Sequence, residues 1–110
     1  MPDPIQLETE AGQLRSEGKH QEAANKLLEA IEHDPQFVRG HLALAVTYHM
    51  LGDYAKSIEH GEKACELEPN DPFNFTALSV TYRRAFAGTN DPKYIQLAEE
   101  AKYKADMMSQ

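Results

Sequence analysis

The chain repeats itself. Displaced by 34 residues against its own copy, it brings Gly18 onto Gly52, Ala30 onto Ala64, Pro35 onto Pro69 and Asp34 onto Glu68. The following displacement brings Leu44 onto Leu78, Val46 onto Val80, Thr47 onto Thr81 and Tyr48 onto Tyr82. A fixed period of this length marks stacked supersecondary units, none of which can bury its apolar face alone. With 110 residues the chain has room for three such units in one domain, residues 1–110. The units fall at about 4–37, 38–71 and 72–110.

Each unit reads as two helices. In the second, Leu42, Leu44, Ala45, Tyr48 and Leu51 form a helical apolar stripe. Gly52-Asp53 interrupts it, Tyr54, Ile58, Ala64 and Leu67 form another, and Pro69 ends that one. Nothing alternates with a period of two, so no strands are expected. Asp3-Pro4, Asp71-Pro72 and Asp91-Pro92 each set a helix-capping acid before a proline suited to the first turn. Asp34-Pro35 and Glu68-Pro69 instead follow helix ends, where proline cannot continue the ladder. In the third unit the step from Ser79 to Ala98 is 19 residues, against 12 from Ala45 to Ser57. The extra residues are expected to lengthen both helices around a turn at Gly88-Thr89-Asn90-Asp91. The spacing therefore predicts an all-α fold with helices near 4–16, 21–33, 38–51, 54–67, 72–87 and 92–108. On the last helix Ile95, Ala98, Ala101 and Ala105 are expected to face inward, with Lys93, Glu99, Glu100, Lys102 and Lys104 wet. Tyr94, Tyr103, Met107 and Met108 would leave an apolar end.

Charge and composition exclude several functions. There are 18 acids against 11 bases, a net charge of −7, and a nucleic-acid binder needs the opposite balance. No apolar run approaches the roughly 20 residues that cross a bilayer, and the start Met-Pro-Asp-Pro lacks a signal-peptide pattern. A soluble cytoplasmic domain is expected. The lone Cys65 makes no internal disulfide and reads as a small buried hydrophobe. No metal-protease helix, glycine-rich phosphate loop or nucleophile elbow is present, so no enzyme, metal or cofactor is expected. His41 reads as a core histidine, and Gly61 as a helix-interior glycine making room for a neighbour such as Phe75. Asn74-Phe75-Thr76 matches a glycosylation acceptor but falls inside an expected helix.

The period and pattern resemble the tetratricopeptide repeat. The second unit carries the likeness best, through His41, Leu44, Ala45 and Tyr48, then Ser57, Gly61 and Pro69. The third begins with Phe75, Leu78, Ser79 and Tyr82. The first carries Leu7, Glu10, Ala11 and Leu14, then Ala23, Leu27 and Pro35, its polar Glu10 suiting a terminal unit. The resemblance implies a short right-handed superhelix in which the first helix of each unit lines a concave groove.

Carried over slot by slot, the resemblance selects Arg15, Arg39, Leu42, Val46, His49, Met50, Phe73, Thr76, Val80, Arg83 and Arg84 as groove residues. It also brings in Ala43 and Ala77. All four arginines of the chain are in this set and Glu8 is the only acid in the groove slots, while Glu17, Glu22, Glu29, Glu32, Glu59, Glu62, Glu66, Glu99 and Glu100 gather on the second helices or the turns before them. The implied function is a protein-interaction module holding an extended peptide or partner helix of apolar and acidic character. Association between copies through the terminal helices is the alternative. Some members of the family grip acidic tails of heat-shock chaperones with Lys, Asn, Asn, Lys and Arg. The matching slots here hold Glu8, Gly12, Ala43, Phe73 and Ala77, so that clamp is not expected.

Overall fold

The computed structural model describes residues 2–110, Met1 of the expected domain lying outside them. The described residues form α1 (Pro4–Ser16), α2 (His20–His33), α3 (Val38–Met50), α4 (Tyr54–Leu67), α5 (Pro72–Thr89) and α6 (Lys93–Met108). No strand occurs among them. Consecutive helices pair as three hairpins, α1 with α2, α3 with α4 and α5 with α6. The hairpins stack because α2 packs on α3 and α4 on α5, while α1 meets α3 and α3 meets α5. The first helices of the hairpins thus share one face.

The turns inside the first two hairpins are the same device. Gly18 and Gly52 take φ of 79° and 77°, a left-handed conformation that costs other residues a clash with Cβ. Gly18 donates its N–H to the Arg15 carbonyl, and Lys19 to that of Leu14. Gly52 and Asp53 repeat the pair on His49 and Tyr48, closing two Schellman caps. The third hairpin departs from the expected turn. α5 runs through Gly88 and Thr89, and Asn90 supplies the left-handed residue at φ 61°, donating to the Phe86 carbonyl. Gly88 stays helical because it accommodates the Tyr54 ring, which a Cβ there would overlap.

The capping acids act as their positions imply. Asp3 accepts the Gln6 N–H at 2.7 Å and Asp71 that of Phe73 at 2.9 Å. Asp91 accepts the Lys93 N–H at 3.1 Å, so α6 starts one residue later than expected, with Pro92 in the capping place.

Two apolar clusters hold the stack. Ala11, Ala23, Ala24, Leu27, Leu44 and Tyr48 join the first two hairpins. Cys65, Phe75, Leu78, Tyr82, Ala98, Ala101 and Ala105 join the last two. Ile95 does not face inward as expected but is 43% exposed. At 100° per residue it lies about 120° round the helix from Ala101, whereas Tyr94 and Leu97 fall on the buried stripe. Tyr94 stacks on Tyr82 at 6.4 Å and Met108 packs on the same cluster, so only Tyr103 and Met107 of the expected apolar end stay open. Gly61 makes room for Leu78, whose Cδ1 would lie 3.2 Å from a Cβ, rather than for Phe75.

His41 is a buried, partnered core histidine. Its Nε2 lies 3.2 Å from the Pro35 carbonyl and must donate to it, leaving Nδ1 to accept from His60 Nδ1–H at 3.1 Å. A proton added to His41 would set two N–H groups against each other. Burial holds both imidazoles below the ordinary value of 6.5, with Lys63 adding to this at His41 and Lys56 at His60, while Glu59 opposes it at His60. Unfolded chains therefore take up protons that the folded one resists, so stability present above about pH 6.5 is lost as the pH falls below it. Denaturant titrations at about pH 7.5 and pH 5.5 should show a lower unfolding free energy at the acid end. The His60→Phe variant should show a smaller difference, and an equal difference would remove the pair as its source.

Candidate functional site

The shared face of α1, α3 and α5 is open, and its deepest feature is a crevice of about 310 Å³ between α3 and α5. Helical geometry sets its walls: Leu42 and Val46 stand one turn apart on α3, and Phe73, Ala77, Val80 and Arg84 run up α5. Ala45, Gly61, Thr76 and Thr81 complete it. Phe73 is 63% exposed, an unusual state for a phenylalanine beside an apolar cleft.

The structure brings seven of the expected groove residues to this crevice, namely Leu42, Val46, Phe73, Thr76, Ala77, Val80 and Arg84. The others sit apart. Arg15 donates to the Ala43 carbonyl at 3.4 Å. Arg39 is bound to Glu8 through Nε at 3.1 Å and Nη2 at 2.6 Å, and lies over the Phe37 ring. It therefore carries an acid partner across the first repeat junction. Met50 is exposed beyond the crevice, and Arg83 is exposed beside Arg84. His49 lies 6.0 Å from the Tyr54 ring, its pKa lowered by burial and by the charge of Arg84. Neither Arg83 nor Arg84 forms an ion pair among the described residues.

Three lining residues were not foreseen: Ala45, Gly61 and Thr81. Ala45 and Thr81 belong to the slots that pack repeat on repeat, and Gly61 belongs to a second helix. The available signal was the glycine standing where the first repeat has Leu27.

The remaining reactive groups are shut away. Cys65 is buried and its thiol is pushed up to about 11 by burial, which keeps it protonated and unreactive. Asn74 is buried and donates to the Ala64 and Glu68 carbonyls at 3.4 and 3.2 Å, so its acceptor motif is consumed by packing. Among the described residues no three His, Cys, Asp or Glu side chains converge as a metal site. No helix among them is long and apolar enough to cross a membrane.

Three stacked hairpins with their first helices on one face define an α-helical repeat protein. The chain belongs to the tetratricopeptide-repeat family: residues 13–52 match the family described as TPR repeat, and residues 38–71 the tetratricopeptide repeat. Both matches end before the third repeat, whose spacing is longer. No curated protein matches the chain. Among solved structures it is similar to the second TPR of Spaghetti (RPAP3) bound to the HSP90 peptide SRMEEVD. That likeness has a TM-score of 0.76 at 16% identity and covers 96% of this chain and 91% of the other.

Proposed function

We propose that this protein is a non-catalytic cytoplasmic adaptor that holds an extended peptide, or one face of a partner helix, on the side shared by α1, α3 and α5. The observation that carries this reading is the apolar crevice between α3 and α5 with unpaired Arg84 on its wall and Arg83 beside it. Burying a partner's apolar side chain supplies affinity, and a guanidinium at the rim selects a carboxylate and its geometry. The similar structure carries a peptide, which supports the mode of binding. The bound chemistry differs, because the five slots of the chaperone-tail clamp hold Glu8, Gly12, Ala43, Phe73 and Ala77. Glu8 is moreover tied to Arg39, and Phe73 and Ala77 are part of the apolar crevice. The negative charge is therefore assigned first to Arg83 and Arg84, which form no ion pair among the described residues, whereas Arg39 would exchange Glu8 for it.

Isothermal titration of acidic and neutral peptides that each carry one large apolar residue tests the reading. Wild type is expected to prefer the acidic peptides, with a preference that shrinks as salt rises. The Arg83→Ala/Arg84→Ala variant should bind them about ten-fold more weakly, the loss of one charge-assisted contact. Equal binding by both proteins would remove the anchor, and a saturable complex with SRMEEVD-type tails that survives Arg83→Ala/Arg84→Ala would overturn the assigned chemistry.

A further inference from the structure

The repeat register shows one exchange that changes the shape of the groove. Leu27 in α2 and Gly61 in α4 occupy the same slot. Leu27 is fully buried and packs with Leu44 and Ala43, closing the junction between the first and second repeats. At Gly61 that side chain is missing. Leu78 and Thr81 take part of its space, and Gly61 still lines the crevice between α3 and α5. The inner wall is otherwise small, Ala45 and Ala77, while the mouth carries the bulkier Leu42 and Phe73. A mid-helix glycine weakens α4, so helix propensity is given up at a position that lines the crevice.

We propose that the crevice above Gly61 is an anchor subsite for a single large side chain, branched aliphatic or aromatic, of a bound acidic segment whose adjacent carboxylate pairs with Arg84. The proposal rests on the groove reading and names what that groove selects. An apolar hole without contents lacks dispersion contacts on one side, which an entering side chain restores. At about 310 Å³ it lies at the small end of ligand pockets, with room for one large apolar side chain and the backbone beside it. A charged side chain would lose its hydration there without gaining a partner. Arg84 stands on the wall and forms no ion pair among the described residues, so charge complementarity there favours an anion as the neighbouring group.

The test uses N-acetyl-phenylalanine as a probe, against its uncharged carboxamide, followed by amide chemical shifts. The acid should bind with shifts centred on Ala45, Gly61, Ala77 and Val80. Ala77→Leu fills the crevice from the groove side and should weaken the acid at least ten-fold, and Gly61→Ala, which leaves the mouth unaltered, should weaken it by less. Arg84→Ala should make acid and carboxamide equal. Melting curves confirm that each variant is folded. Shifts centred elsewhere, or undiminished binding by folded Ala77→Leu, would overturn the subsite. In parallel, acidic peptides that differ only in Phe against Ala separate the two claims. If they bind the wild type equally well, the subsite falls and the groove reading stands; if neither binds, both fall.

Discussion

Leu27→Ala is expected to cost about 3 kcal/mol of folding stability, within the roughly 2–5 kcal/mol seen for buried leucines. Leu27 is fully buried, and its neighbours cannot move in to fill the gap. Ala11, Ala23 and Ala24 have no side chain to extend, and Leu44 is itself fully buried at the same junction. The cavity would sit where α2 meets α3, so it loosens the joint between two repeats rather than one helix. In a stack stabilised by neighbour contacts this is the costliest place to lose volume. The ion pair that bridges the same junction, Arg39 with Glu8, offers little compensation, because its arginine is 59% exposed and screened by water. Total stabilities of domains are about 5–15 kcal/mol, so the loss should be plain in urea denaturation. Leu28→Ala, one residue along and 37% exposed, is the control and should cost under about 1 kcal/mol. Equal losses at the two positions would mean that Leu27 does not close the junction.

The contrast between Leu27 and Gly61 also shows what sequence reasoning could reach. The hairpins were legible because their signals are local: Gly18 and Gly52 mark two turns, and the capping acids mark helix starts. The third turn was expected over Gly88-Thr89-Asn90-Asp91, and α5 runs two residues into it, past Gly88. Its role is to admit Tyr54 from another hairpin, and Asn90 does the turning. The groove face was legible from slot positions, which is why Leu42, Val46, Phe73 and Val80 come together. Its depth was not legible. The hole at Gly61 depends on how far Leu78 of the next repeat reaches, which no single repeat encodes. Charge partners were hidden for the same reason. Arg39 and Glu8 are 31 residues apart and meet only when two repeats are stacked.

The same register predicts how the outer face of α6 behaves. In α2 the positions Ala24, Leu27 and Ile31 lie toward the following hairpin, and in α4 the matching ones are Ile58, Gly61 and Cys65. Aligning Ser57 with Ala98 places Glu99, Lys102 and Asp106 there on α6, all exposed, with Ile95 the one apolar residue alongside. Docking another helix on this face would strip water from three charges, at several kcal/mol for each one left unpaired. A polar face of this kind resists the docking of a further helix. Transplanting the α2 set, as Glu99→Ala, Lys102→Leu and Asp106→Ile, joins those positions to Ile95 as one continuous apolar stripe. The variant is expected to self-associate with a dissociation constant on the order of micromolar, about 8 kcal/mol of association free energy. Wild type should show no association through α6. Light scattering over a dilution series reads the difference, and a variant whose mass matches wild type at every concentration would show that these three charges do not guard the face. Association of the wild type that Tyr103→Ser and Met107→Ser abolish would instead place the contact on the exposed turn at the end of α6, the one apolar site the charges leave uncovered.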